Sequence, residues 1–262
     1  MSFALTPGKA PLILSMPHVG LALPERWRAG LIDPAAATAD ADYWIDEAYA
    51  FARSLGVTIV RAALPRVVID LNRPPDGASL YPGQATTGLV PLESFDGVPL
   101  YHPGAEPGPA SIGDRLREVH KPYHDALAAE IARLRGMHER IVLLDCHSIR
   151  SHVPRLFEGE LPILNLGTHN GRSCARELER RLAALCAASG LSHVVNGRFK
   201  GGWITRHYGR PESGVHAVQL ELAQRAYMAE PGGPYDPVRA APLTRTLDQL
   251  LAAMIAWAQE QA

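Results

Sequence analysis

Short apolar runs alternate with longer stretches of mixed polarity along most of the chain, a pattern typical of strands and helices in alternation. The apolar runs are continuous, which favours strands buried on both faces of a sheet. The pattern therefore predicts an α/β fold, with a three-layer α/β/α arrangement around a mixed, largely parallel sheet. The predicted strands are segments 11–16, 57–61, 66–71, 141–145, 162–167 and 215–222, and the predicted helices are segments 40–55, 114–135, 173–189 and 244–259.

Local signals predict where the helices start and bend. Asp40 or Asp42 is expected to cap the first helix and Ser173 the third, because side-chain oxygens accept hydrogen bonds from the first turn of a helix. Pro122 has no backbone N–H and is expected to kink or divide the second helix. Segment 72–109 is rich in Pro and Gly but also carries aromatic residues, which indicates an ordered, functional loop rather than a linker.

Composition narrows the class of protein. The 262 residues show no internal boundary, so we predict a single domain over residues 1–262. The net charge of -1 gives no basic excess for a nucleic acid or a membrane surface, and no run reaches the roughly 18 apolar residues of a membrane span. The predicted partner is therefore a small molecule. Three cysteines and no signal peptide favour a reducing, cytoplasmic location.

Reactive side chains lie at the ends of three predicted strands. His18 follows the first strand, His147 follows the fourth, and Glu221 lies near the end of the last. Ligands of open α/β sheets bind beyond the carboxyl ends of the strands, so we expect these three side chains at one edge. A lone histidine after a strand is usually structural, but two in matching positions suggest a catalytic zinc site, which has three protein ligands and one open position.

The third zinc ligand is predicted to be a carboxylate of the first helix, where Asp42 and Asp46 lie one turn apart. Asp42 is nearer the expected edge, but the sequence leaves both open. Asp145 lies beside the ligand region and is expected to orient an imidazole. Glu221 is the candidate general base, since a carboxylate within an apolar strand is costly unless it is paired or functional.

Basic side chains are frequent in or beside the predicted loops. Arg206 lies in GGWITRHYG, where the glycines allow the backbone to approach a ligand closely. Arginine binds carboxylates in bidentate fashion, so several near one site would suit an anionic, dicarboxylate substrate, although any single one more often makes a surface ion pair. The residues concerned are Arg61, Arg66, Arg73, Arg150, Arg155, Arg198, Lys200, Arg206 and Arg210.

Several motifs, in order over nearly the whole chain, resemble those of the N-formylglutamate deformylase (N-formylglutamate amidohydrolase) family. They are SMPHVG, DADYWIDEAYAFA, VIDLNRPPDGASLYPGQATTGLVP, FDGVPLY, KPYHDAL, LLDCHSIRSHVPRLFEGELPILNLGT, NGRFKGGWITRHYGRP and VHAVQLELAQRAYM. Relatives often carry SPHSG or SPHAG where this chain has Met16 and Val19, and neither change removes a ligand.

The resemblance implies a fold similar to the zinc exopeptidases (phosphorylase/hydrolase-like) and a reaction that cleaves N-formyl-L-glutamate to L-glutamate and formate. That reaction is the last step of a histidine degradation route. The resemblance also implies one zinc ion on His18, His147 and the pair Asp42 and Asp46, with Glu221 at the position of the general base.

The same resemblance indicates which residues bind the substrate. Arg73 and Arg206 are expected to hold the two substrate carboxylates, with Asn72 and Thr205 as helpers. Arg206 or His207 is expected to stabilise the tetrahedral oxyanion.

Three alternatives stay open. A cysteine amidase would use Cys146 beside His147, but adjacent residues on a strand point to opposite faces, which is unsuitable for proton transfer between them. A related amidohydrolase would act on another N-acyl amino acid, and a non-catalytic relative would only bind a carboxylate. The sequence leaves the oligomeric state and the native metal undetermined.

Overall fold

The strands form one mixed sheet. The structure, a computed structural model, describes residues 2–80, 83 and 86–260. Within these residues the strands are β1 (Phe3–Thr6), β2 (Leu12–Met16), β3 (Thr58–Ala62), β4 (Ile141–Ile149), β5 (Leu164–Gly167), β6 (His193–Val195) and β7 (Val215–Ala223).

The spatial order of the strands is β1-β3-β2-β4-β7-β5-β6. The pairs β3/β2, β2/β4, β4/β7 and β5/β6 are parallel, and the pairs β1/β3 and β7/β5 are antiparallel. The central strands β4 and β7 are each nine residues long and buried throughout, which is why their sequences read as continuous apolar runs. The prediction of a mixed, largely parallel sheet is confirmed.

Helices cover both faces of the sheet. One face packs on α5 and α7, and the other packs on α4 and α6. The predicted three-layer arrangement is therefore confirmed. The α-helices of the described residues are α1 (Glu25–Arg28), α2 (Ile45–Ala48), α3 (Pro109–Arg115), α4 (Lys121–Arg135), α5 (Arg176–Ala188), α6 (Trp203–Tyr208) and α7 (Pro237–Gln259).

One predicted strand is wrong. Segment 66–71 forms turns and irregular chain instead of a strand. Its apolar side chains are buried, but the Arg115 guanidinium, rather than a neighbouring strand, donates to the carbonyl oxygens of Val67 and Val68 at 3.1 and 2.7 Å. A buried backbone needs hydrogen-bond partners, and here a side chain supplies them.

The first predicted helix is also wrong over most of its length. Segment 40–55 contains only the short helix α2 and a 3-10 turn over Ala50–Leu55. Neither predicted cap acts as one. Asp40 accepts the backbone N–H of Phe95 at 2.7 Å, and Asp42 is buried among histidines.

Two other helix boundaries differ from the predictions, and one helix was not predicted. Ser173 caps no helix and donates to the carbonyl of Ala217, because α5 begins three residues later. The last helix was predicted from residue 244, but it begins at Pro237, capped by Asp236, and it contains Pro242. The six-residue α6 was missed, since it is too short to show periodicity.

The predictions for Pro122 and the long loop agree better with the structure. A π-helical turn over Leu116–His120 separates α3 from α4, so the second predicted helix is divided just before Pro122. In the long loop, Phe95 and Tyr101 are buried, as an ordered loop requires, whereas Tyr81 lies outside the described residues. Among the helices that the structure describes, none has the length and apolar character needed to cross a membrane.

Candidate active site

Two neighbouring strands present polar side chains on one face of the sheet. The β4/β7 register places His147 opposite Glu221 and Asp145 opposite Gln219. Side chains two apart on a strand share a face, so these four lie together near the carboxyl ends of the two strands. The residues between them, including Cys146, face the core on the other side.

His18 and Asp42 complete a buried cluster with His147. His18 follows β2, and its carbonyl accepts the backbone N–H of Asp42 at 3.0 Å, which holds the two residues side by side. One ligand atom from each of the three residues lies within 4.8 Å of the others, and the two imidazole centroids are 4.9 Å apart. All three side chains are buried.

Two further aspartates fix the orientation of the imidazoles. His18 Nε2 lies 2.7 Å from Asp70, and His147 Nε2 lies 3.0 Å from Asp145. Because an ionised carboxylate can only accept, each Nε2 carries a proton and each Nδ1 faces Asp42. This pairing of carboxylate and imidazole is the one that orients histidine ligands in metal sites.

The carboxylates and imidazoles of the cluster stabilise each other's charged forms. Burial alone would raise the pKa of Asp42, but its hydrogen bonds with His147 and His18 hold that pKa far below its ordinary value. Burial opposes charge on His147, yet Asp145 and Asp42 raise the pKa of that imidazole well above its ordinary value. The cluster is therefore an anionic environment that favours a cation.

This donor set fits a divalent metal. Two imidazole nitrogens and one carboxylate oxygen are the ligands of the catalytic zinc class, which leaves a position open for substrate or water. Asp70 Oδ2 and Asp145 Oδ1 are buried without a hydrogen-bond partner among the described residues, although the guanidinium groups of Arg66 and Arg73 lie 3.8 and 4.0 Å from Asp70 Oδ2. His18, Asp42 and His147 are the residues that could hold the ion.

Glu221 lies beside the cluster as an unusually basic carboxylate. Burial raises its pKa to about 8, with His147 and Arg66 lowering it and Asp42 raising it further. Its carboxylate accepts from the Gln219 side-chain amide at 3.3 Å, while the Gln219 oxygen accepts the backbone N–H of Gly202. A carboxyl group with such a pKa can both accept and return a proton near neutral pH.

Arg66 lies in the segment that was predicted to be a strand, and its guanidinium contacts the cluster of His18 and Asp42. Its Nη2 lies 2.9 Å from Asp42 and 2.7 Å from His18 Nδ1, and its guanidinium packs against the Phe95 ring. Its Nε is buried and has no hydrogen-bond partner in the described part of the chain. Arg66 therefore carries a spare, desolvated donor beside the cluster.

His18 and His147 of the cluster line an open cleft, whose empty space, including its open mouth, is about 630 Å³. Arg73 and Arg198 give the walls positive charge. Arg73 donates to Thr87, and Arg198 donates to the carbonyl of Leu156 at 2.6 Å. The described lining residues are His18, Arg66, Asn72, Arg73, Thr86, Thr87, Phe95, His147, Ser148, Ile149, Leu156, Arg198, Phe199, Gly202, Gln219 and Glu221.

The chain is similar to known proteins over almost its full length. A model of the N-formylglutamate amidohydrolase family matches residues 10–228. The chain belongs to this family. The family resemblance predicted from the sequence is therefore confirmed.

Two curated relatives of this family member are N-formylglutamate deformylases, from Pseudomonas putida and Pseudomonas aeruginosa. Each is 50% identical over 256 residues, which covers 97% of this chain and 96% of the relative. The crystal structure of an N-formylglutamate amidohydrolase from Ralstonia eutropha has a TM-score of 0.84 at 23% identity and covers 98% of each chain. A protein from Agrobacterium tumefaciens has a TM-score of 0.73 at 18% identity, with 99% and 96% covered. These two structural likenesses show the fold.

In this N-formylglutamate amidohydrolase family member, several predicted site residues lie outside the cleft. Asp46 forms an ion pair with Arg61 at 2.6 Å and stands apart from the cluster that contains Asp42. Arg206 donates to the carbonyls of Gly201 and Leu80 and is not among the described lining residues.

Two more predictions lie on α6, away from the described lining of the cleft. Thr205 is fully buried in the helix. His207 stacks on the Trp203 ring with centroids 4.3 Å apart and faces a second cavity on the outer side of α6. A helix places successive side chains in different directions, so one motif cannot bring all of them to the same site.

In this family member, sequence reasoning did not single out Arg66, Asp70 and Arg198, although Arg66 and Arg198 were among the basic residues named as candidates for binding an anionic substrate. The signal for the first two was present in RVVIDLNR, where Arg66, Asp70, Asn72 and Arg73 are polar residues within an otherwise apolar run. Segment 66–71 was interpreted only as a strand, and no role was assigned to Asp70. Because the segment turns instead, all four approach one site.

The structure also bears on the cysteine alternative. Cys146 is fully buried within the core on the face of the sheet opposite His147. Burial raises the pKa of its thiol well above the ordinary value, with Asp145 adding to the effect. A nucleophilic cysteine needs the opposite, an accessible thiol with a lowered pKa.

Proposed function

We propose that this chain is a zinc-dependent N-formylglutamate deformylase, which hydrolyses N-formyl-L-glutamate to L-glutamate and formate. The observation that carries the proposal is the cluster of His18, Asp42 and His147, with Glu221 in register beside it in an arginine-lined cleft. The names of the two Pseudomonas relatives support the substrate. We further propose that the protein acts in the cytoplasm, as the last step of a histidine degradation route.

A bound zinc ion would lower the pKa of a water molecule to about 7 and polarise the formyl carbonyl. Glu221 accepts the proton of the attacking water and then donates it to the nitrogen of the departing glutamate. Its buried environment suits both steps, because a carboxyl group with a raised pKa holds and releases a proton near neutral pH.

Arg66 stabilises the negative charge that develops on the formyl oxygen. This assignment replaces Arg206 and His207, which are not among the described residues that line the cleft. The buried Nε–H of Arg66 has no partner among the residues described, so it can donate to a developing oxyanion without losing another hydrogen bond. The Phe95 ring holds the guanidinium in position.

Arg73 and Arg198 bind the two substrate carboxylates, with Arg198 in the place assigned to Arg206 from the sequence. Arg73 lies 4.0 Å from Asp70, the partner of His18, so it is close to the reacting centre and suits the α-carboxylate. Arg198 lies on the wall formed with Leu156 and Phe199 and suits the γ-carboxylate.

Replacing Arg198 by Met is expected to raise KM for N-formyl-L-glutamate by about 10- to 100-fold, because one charge-assisted hydrogen-bonded contact is lost. N-formyl-L-glutamine, which lacks the γ-carboxylate, should be turned over equally well by the variant and the wild type. Steady-state kinetics on both substrates measure this difference. An equal loss on both substrates would show that Arg198 does not read the γ-carboxylate.

Formate release from N-formyl-L-glutamate, measured before chelation, after chelation and after zinc return, tests the proposed function. We expect activity to disappear on chelation and to return with zinc, since two neutral imidazoles and a carboxylate bind the ion reversibly. Cys146→Ser is the matched control and should keep near-normal activity. Activity that persists after chelation and is lost in Cys146→Ser would establish a cysteine amidase instead.

A panel of N-acyl amino acids distinguishes the remaining alternatives. Preferred turnover of an acyl group other than formyl would make this chain an amidohydrolase of different specificity. Binding of N-formyl-L-glutamate to the zinc-loaded protein without any turnover would make it a carboxylate-binding relative.

A further inference from the structure

Two histidines on consecutive turns of one helical stretch contact the segment that carries Asn72. His120 ends the π-helical turn before α4, and its Nε2 lies 3.0 Å from the carbonyl oxygen of Arg73. His124 lies one turn later, and its Nε2 lies 2.9 Å from the carbonyl oxygen of Leu71. The two imidazoles therefore hold the carbonyls on either side of Asn72.

The contacts fix which nitrogen donates. A carbonyl oxygen only accepts, so Nε2 carries the proton in both rings. The Tyr208 hydroxyl lies 3.0 Å from His124 Nδ1 and 3.2 Å from the His124 carbonyl oxygen, so its one proton is shared between these two acceptors. Burial lowers the pKa of His124 to about 3, with the neighbouring His120 adding to the effect, so this imidazole is neutral at physiological pH.

The segment needs these donors because it has no strand beside it. Asn72 itself is buried, and its side chain contacts Asp145 at 3.0 Å while accepting the backbone N–H of Ile204 at 2.8 Å. The packing around it is tight, since a Cβ added at Gly202 would lie 2.4 Å from its amide nitrogen. Within the described part of the chain, the two imidazoles supply the side-chain donors to these flanking carbonyls, which need a hydrogen-bond partner in so closely packed a region.

The two contacts act on different parts of the candidate active site. The Leu71 carbonyl and the Asn72 N–H belong to one peptide plane, and that N–H donates to Asp70 Oδ1 at 2.8 Å. The same Asp70 oxygen orients His18. The Arg73 carbonyl, in contrast, belongs to the residue whose guanidinium lines the cleft.

We infer that His120 and His124 are positioning residues for the hydrolytic site. His124 fixes the position of Asp70 and, through it, that of the metal ligand His18. His120 fixes the position of Arg73, which binds the substrate. The inference rests on the proposed function for its kinetic consequences. Trp203 packs against both imidazoles, with ring centroids 5.5 Å from His120 and 4.5 Å from His124, and so links this pair to α6.

Variants that remove the donor separate the two effects. His124→Leu is expected to weaken zinc binding and to lower kcat by about 10- to 100-fold, as the loss of an outer partner of a metal ligand does. His120→Leu is expected to raise KM by a similar factor with a smaller change in kcat. The zinc dissociation constant, from competition with a chelator, and steady-state kinetics measure the two results.

Conservative and matched variants control for folding. His124→Gln and His120→Gln keep an N–H donor at a similar reach and should restore most of the loss. His138→Leu removes an imidazole beyond the other end of α4 whose Nε2 also contacts a carbonyl, that of Lys9, at 2.8 Å. It should leave zinc affinity, kcat and KM unchanged.

Hydrogen exchange over residues 68–75 provides a readout that does not depend on turnover. Exchange there should accelerate in His124→Leu and stay as in the wild type in His138→Leu. If zinc affinity, kinetics and exchange are all unchanged in both Leu variants, or if Gln fails to rescue either, the inference is wrong. If the wild type releases no formate but His124→Leu changes exchange and zinc affinity, the proposed substrate fails and the positioning of the metal ligand stands.

Discussion

Replacing Glu221 by Gln is expected to lower the rate of formate release from N-formyl-L-glutamate by about a thousand-fold, or roughly 4 kcal/mol in activation free energy. The amide has nearly the shape of the carboxyl group but cannot accept the proton of the attacking water. Zinc content should stay at the wild-type level, because Glu221 is not part of the cluster of candidate ligands. Stopped-time formate assays together with metal analysis measure both.

Glu130→Gln is a matched control for this variant. Glu130 is a carboxylate of similar burial, but it lies on α4 and pairs with Arg133. Its replacement should leave turnover within about two-fold of the wild type, since Glu130 is not among the described residues that line the cleft. Near-normal turnover in zinc-loaded Glu221→Gln would remove Glu221 from the mechanism.

Glu221→Gln should lower activity in the zinc-loaded protein, but it should not lower the stability of the metal-free protein. Burial raises the pKa of Glu221 in the folded state to about 8, above its ordinary value of 4.5. Ionisation of this group therefore favours the unfolded chain, and the folded state loses stability as pH rises from about 4.5 to 8. Metal-free Glu221→Gln should consequently unfold at or above the Tm of the wild type at pH 7. A lower Tm at that pH would contradict a destabilising carboxylate.

Replacing Asp42 by Asn is expected to lower zinc affinity by at least about a hundred-fold and to reduce activity accordingly. The amide removes the negative charge that the two imidazoles of the cluster face. Metal content after dialysis and formate release at saturating zinc measure the two losses. Part of the activity should return at high zinc if weakened binding is the cause.

Asp46→Asn is the natural comparison, because the sequence alone left both aspartates open as ligands. The structure pairs Asp46 with Arg61 in a partly exposed ion pair. Its loss should cost at most about 1 kcal/mol of stability and leave zinc binding unchanged. Zinc loss in Asp46→Asn with retention in Asp42→Asn would reverse the assignment proposed for the cluster.

The parts of the fold that were predictable are those in which burial alone decides the structure. β2, β4 and β7 are buried on both faces, so their sequences are apolar and their polar ends are conspicuous. That is why His147 and Glu221 could be assigned to one edge before the structure was known. The same rule failed for segment 66–71, where Arg115 replaces the neighbouring strand that an apolar run was taken to indicate.

The arginines of the site were the least predictable residues. Arg66 and Arg198 reach the cleft from irregular segments, and spacing along the chain does not specify where such side chains end. Arg206 lies in a glycine-rich motif that favoured it, but its guanidinium donates to the carbonyls of Gly201 and Leu80. Motifs therefore located the site, and tertiary contacts decided which of their side chains line it.

The unbroken β4/β7 pairing, from Ile141 opposite Val215 to Ile149 opposite Ala223, has a consequence for how this protein can change in evolution. The spacing between His147 and Glu221 is set by backbone hydrogen bonds in the centre of the sheet, whereas Thr86, Phe95 and Arg198 come from connecting segments. Substitutions and insertions in those segments can alter which acyl amino acid is accepted while the hydrolytic pair keeps its geometry. New substrate ranges are thus accessible by loop variation, and laboratory evolution of specificity should target those segments first.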